Sequence, residues 1–162
     1  MVSVKRIFCL LICLSLFFCA CQGEKESTSS LSGAVRRVQN ALGGKENFYE
    51  ADEDFIADNF GELPYVQEAK VFLGSGEMTQ EFGIFRLTDR QKASELKMIL
   101  KDYLSAEKEA LTSLSALYPA EELSARLSAY EEAHVGSEGM LVYYFVLERT
   151  QAKMALEALN GR

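Results

Sequence analysis

Residues 140–147, MLVYYFVL, form the longest unbroken apolar and aromatic run outside the N-terminal leader. The run is strand-sized and rich in β-branched and aromatic side chains. A strand that faces water on one side alternates polar with apolar; one without alternation needs cover on both faces, or on one face and part of the other. Residues 140–147 therefore predict a central strand, with helices as its cover. Just before it, GSEG at 136–139 reads as a turn, and Tyr130 to Val135 as a weak strand. Just after it, residues 151–159 carry a helical period that stops at Asn160-Gly161.

The same order of elements occurs earlier in the chain. AKVFL at 69–73 predicts a strand, GSG at 74–76 a hairpin turn, and FGIFRL at 82–87 the returning strand. A long helix follows from Thr88, with Thr88 and Gln91 spaced as a capping box. Leu96, Ile99, Leu100, Tyr103, Ala110, Leu111 and Leu114 fall on one arc of that helix. Burying each large side chain contributes about 1.5–3 kcal/mol, so Leu100→Asp or Tyr103→Asp should unfold the domain. A small inserted helix is expected near 119–127, and short helices at 31–42 and 52–60, which stop at Gly43-Gly44 and Gly61. The expected fold is α+β: a four-stranded, mainly antiparallel sheet with two main helices on one face. Its order is β-β-α-(α)-β-β-α, preceded by one or two short helices.

Residues 1–21, MVSVKRIFCLLICLSLFFCAC, have a basic start at Lys5 and Arg6, an apolar core, and Ala20 before Cys21. That layout is a secretory leader. The apolar core is shorter than the roughly 20 residues needed to span a membrane. Phe18 is too bulky at −3 for an ordinary signal peptidase. The pattern resembles the lipobox of bacterial lipoproteins, with Cys21 as the lipid-modified residue, although Phe18 and Cys19 are atypical of it. By that resemblance Cys21 would carry a diacylglyceryl thioether, often with a third chain on its amine. Single chains hold marginally and two or three hold firmly. The expected organisation is a signal at 1–20, a polar tether at 21–30 and one domain at 31–162, exported and anchored to the outer face of the cell membrane. An uncleaved anchor helix would also leave the domain outside.

Of the 4 cysteines, Cys9, Cys13 and Cys19 lie in the leader, and lipid would consume the thiol of Cys21. The exported chain would then hold no disulfide, so its core alone must stabilise it. Removing 1–20 removes two basic charges and shifts the formal net charge from −7 to −9. Nucleic acid demands a basic footprint, so that partner is excluded.

Arg90, Lys97, Lys101 and Lys108 fall within about 40° of one another on a helical wheel. They offer an edge for an acidic partner or anionic polymer, or simply a solvated helix edge. Glu50, Asp52, Glu53, Asp54, Asp58 and Glu62 form the densest acidic stretch, but Phe55 to Ala57 breaks calcium-loop order. Acidic residues in a first helical turn suit its dipole instead. His134, the only histidine, cannot build a zinc site alone and is expected on a strand face or edge. Tyr143 and Tyr144 must face opposite sides of their strand. An outward one could stack on a sugar or peptide, and an inward one would be core. No catalytic, metal or cofactor residue is assigned.

The stretch from Asn47 to Ala158 resembles the bacterial family labelled domain of unknown function 4358. The likeness rests on FYEADEDFIADNFG at 48–61, the 69–73 strand, FGIFRLTD at 82–89 before a Lys-rich helix, and MLVYYFVLERTQAKMALEAL at 140–159. Members are typically short lipoproteins of Gram-positive anaerobes with no assigned activity. The resemblance implies a domain type and a location, and no site residues. The expected function is a non-enzymatic, lipid-anchored domain that binds an envelope partner. The alternatives are a small envelope hydrolase using two carboxylates in a cleft, and a small-molecule binding or sensing domain.

Overall fold

The computed structural model describes residues 30–75, 80–114 and 120–161, with only the backbone at 120–122. The leader, Cys21 and all of the expected tether except Ser30 lie outside the described residues. Helix α1 (Leu31–Ala41) starts where the Ser30 hydroxyl accepts from the Gly33 amide at 3.2 Å. It stops at Gly43 and Gly44, whose φ angles of 95° and 118° suit glycine. Strand β1 (Phe48–Glu50) follows, then helix α2 (Glu53–Phe60), whose N-cap Asp52 accepts from the Phe55 amide at 2.8 Å.

Strands β2 (Val66–Gly74) and β3 (Glu81–Leu87) form the first hairpin. Helices α3 (Ala93–Leu114) and α4 (Ala120–Glu131) come next. Strands β4 (His134–Glu138) and β5 (Leu141–Val146) form the second hairpin, and helix α5 (Arg149–Leu159) closes the described chain. The fold is α+β, with a fully antiparallel sheet in the order β1-β2-β3-β5-β4.

Two features differ from the sequence expectation. The sheet has five strands rather than four, because three-residue β1 pairs with the outer edge of β2, Phe48 opposite Gly74. So short a segment carries no periodicity to read. The two main helices also do not share a face: α1 and α5 pack on one side of the sheet, while α2 and α3 pack on the other. The reason lies in the central strands. Leu141, Tyr143 and Phe145 are buried on the first side, and Val142, Tyr144 and Val146 on the second. All six positions of β5 are buried, so neither side can be left to water. The amphipathic stripe of α1 (Leu31, Ala34, Val35, Val38) joins α5 as one cover, which sends α3 to the opposite side.

Local boundaries shift as well. Thr88 is not an N-cap: its amide and hydroxyl both donate to the Tyr65 carbonyl. Asp89 instead accepts from Gln91 at 2.9 Å and opens a single 3-10 turn, Arg90–Lys92, ahead of α3. Helix α4 extends to Glu131, so Tyr130 is helical and the weak strand begins only at His134. The segment at 120–131 is dominated by Ala, Glu, Leu and Arg, all strong helix formers.

Each central tyrosine of β5 lies against a glycine on a neighbouring strand. Gly83 of β3 faces Tyr144, and Gly136 of β4 faces Tyr143. A Cβ at either glycine would collide with the ring opposite. The glycines give the rings room to lie along the sheet.

Candidate functional site

The side-chain alternation of β3 puts positions 81, 83, 85 and 87 on the α3 side of the sheet. Three of them are Gly83, Phe85 and Leu87. The fourth, Glu81, is 5% exposed and is the only buried charged residue among the described ones. An unpartnered carboxylate there would be costly. Three phenols supply the partners. Tyr103 of α3 donates to Oε1 at 2.9 Å, Tyr144 of β5 donates to the same oxygen, and Tyr130 of α4 donates to Oε2 at 3.2 Å. The three donors come from three elements far apart in sequence, so the carboxyl ties α3, α4 and β5 to the start of β3.

Burial pushes the Glu81 carboxyl above its ordinary range, against the phenol hydrogen bonds that pull it down and with the Glu107 charge adding to the rise. Burial likewise raises all three phenols, and the Glu81 charge raises them further. The phenols therefore stay protonated as donors, and Glu81 holds its own proton more readily than a surface carboxyl does.

A cleft of about 280 Å³ opens above this group, between the end of the first hairpin and helices α3 and α4. Its walls are aromatic: Tyr49 from β1, Phe55 from α2, and Tyr103 and Tyr130. Glu81 lies at its base, and Glu107 and Arg126 also line it. Tyr49 is 55% exposed despite its large ring. The volume is near the lower end for ligand pockets and suits a molecule of amino-acid size. The cleft can recognise such a molecule by stacking, charge and hydrogen bonding. It also brings together a carboxyl whose proton affinity burial raises and a second carboxyl, Glu107, the kind of pair that proton transfer uses.

The residues singled out from sequence fall elsewhere. Arg90 lies on the 3-10 turn before α3, so it does not continue a helical stripe with Lys97, Lys101 and Lys108. Lys108 pairs with Glu131 at 3.1 Å, which ties α3 to α4. The acidic stretch divides into separate tasks: Glu50 pairs with Lys70 at 2.5 Å, Asp52 caps α2, and Glu53 and Asp54 occupy its first turn. Among the described residues no group of three or more His, Cys, Asp and Glu is placed to hold a metal. His134 opens the edge strand β4 and is exposed. Tyr143 and Tyr144 do face opposite sides, and both are buried. No described helix is long and apolar enough to cross a membrane.

Glu81 lies one residue ahead of the strand that FGIFRL at 82–87 predicts, so the sequence pattern does not single it out. Its parity with Phe85 and Leu87 was the available signal: a charged residue in register with a buried face needs buried partners. No protein-family model, curated protein or solved structure matches the chain.

Proposed function

We propose that this chain is a lipid-anchored, extracytoplasmic domain, held through Cys21, that binds a ligand or partner at the cell envelope in the cleft above Glu81. The leader supports the location. The observation that carries the binding reading is the state of Glu81. Both of its oxygens are engaged by phenols from α3, α4 and β5, which makes it a fixed floor for recognition rather than a mobile base. The hydrogen bonds fix Glu81 and the Tyr103 and Tyr130 walls in advance, which lowers the ordering cost of binding there. Cell location and binding are tested separately. Mass spectrometry of membrane fractions should find Cys21 lipidated. A Cys21→Ser variant trimmed and retained as before, or intact protein in the cytosol, would remove the anchor. Envelope extracts passed over the immobilised chain should yield a ligand that Tyr49→Ala and Glu107→Gln release. Equal retention by both variants would remove the cleft.

One observation favours a second reading, a small envelope hydrolase: Glu81 and Glu107 line the same cleft, and Glu81 is held toward its protonated form. Such a pair can divide acid and base roles. Cleavage of an envelope polymer, lost in both Glu81→Gln and Glu107→Gln, would put hydrolysis in place of binding.

A further inference from the structure

We infer that the cleft takes a small zwitterion, a free α-amino acid with an apolar or aromatic side chain, its ammonium toward Glu107 and its carboxylate toward Arg126. This rests on the reading of the cleft as a binding site. Three observations meet here. Glu107 and Arg126 line one cleft, and no ion pair among the described residues ties either to an opposite charge. Both charges reach the same phenol: Glu107 raises the proton affinity of Tyr130 and Arg126 lowers it. Glu107 stands on α3 and Arg126 on α4, so the two helices that wall the cleft bring one charge of each sign to it. Glu81 beneath them already accepts from three phenols through both of its oxygens, which occupies it within the fold. The charges left for a ligand are thus one negative and one positive.

A ligand with a single charge would satisfy one pole and leave the other facing it or opposing it. A zwitterion satisfies both, and Arg is suited to a planar carboxylate. The rings of Tyr49 and Phe55 supply apolar and π surface for the side chain. The volume of about 280 Å³ is enough for one amino acid. Sugars would use the rings and the hydrogen-bonding groups but would gain nothing from opposed charges.

The test is isothermal titration of the full chain in detergent micelles with L-phenylalanine, its methyl ester and N-acetyl-L-phenylalanine. The free amino acid should bind, and each blocked derivative should bind about tenfold or more weakly, the loss expected for one charge-assisted contact. Arg126→Gln should make the amino acid and its ester equal, and Glu107→Gln should do the same for the amino acid and its N-acetyl form. Ester binding as tight as the free acid would make this a cation site and overturn the inference. N-acetyl binding as tight would make it an anion site, with the same result. No amino-acid binding, with an envelope ligand still released by Tyr49→Ala, would overturn the ligand class while leaving the cleft reading intact. Phenylalanine binding unchanged by Tyr49→Ala and by both charge variants would overturn the two together.

Discussion

The two faces of the sheet are built on different terms. On the α1 and α5 side, Leu31, Val38, Phe82, Ile84 and Phe145 meet in a core that holds no buried charge. On the α3 side, Val71, Phe85, Leu87 and Leu100 do similar packing, but a carboxyl and three phenols stand among them. The same two strands supply both faces, so the contrast is not one of local propensity. It lies in what crosses each face. The dry side holds its helices by area and shape. The other side holds two helices by direction as well, because a hydrogen bond fixes orientation where an apolar contact tolerates sliding. A cleft whose walls come from α3 and α4 needs that fixed orientation, and it opens only on this side.

The comparison can be broken in four places. Phe82→Ala on the dry side should cost the most, about 3–5 kcal/mol in denaturant unfolding, with no change in pH dependence. Glu81→Gln should act through pH. With its native proton affinity raised, Glu81 contributes stability that is fully present below the ordinary carboxylate value of 4.5 and is lost as pH rises through its higher folded value. Glu81→Gln should flatten that fall in a series of melts from acid to neutral pH, and an unchanged slope would show that the phenol cluster does not sense protons. Tyr130→Phe, which removes the longest of the three bonds, should cost about 0.5–1.5 kcal/mol by the same unfolding assay. Lys108→Ala should be least, about 0–1 kcal/mol, since its pair with Glu131 is a half-exposed one. A larger loss there would mean that α4 depends on this contact more than on the carboxyl beneath it.

Much of the architecture was legible. The apolar run at 140–147 became β5, an interior strand between β3 and β4, and the first hairpin, α1, α2 and the long helix fall close to their expected places, whereas Gly136 to Glu138, expected as a turn, belong to β4, and the second hairpin turns at Gly139 and Met140. The assignment of helices to faces was not legible. Burial on both sides of β5 could be inferred, but which helix covers which side depends on how the crossing segments pack, and no period in the sequence records that. The site was legible only in parts. Glu81 is a single charge at a strand end, and its partners Tyr103, Tyr130 and Tyr144 lie 22, 49 and 63 residues away. No spacing rule links groups so distant. Tyr130 was further hidden by being read as part of a strand. The basic stripe misled for the opposite reason: a wheel drawn through Arg90 assumes one continuous helix, and Asp89 breaks it with a tighter turn.

Arg37 of α1 donates from Nε to the Ala158 carbonyl at 2.9 Å and from Nη2 to the Leu159 carbonyl at 3.2 Å. The first described helix is thereby buckled to the last turn of the final one. Tension applied from the N-terminal side would reach α1 first, to be shared through this guanidinium with α5 and along the chain with β1, the next strand. The clasp itself lies on the side of the sheet away from Glu81, so it would take up part of a pull without passing through the phenol cluster.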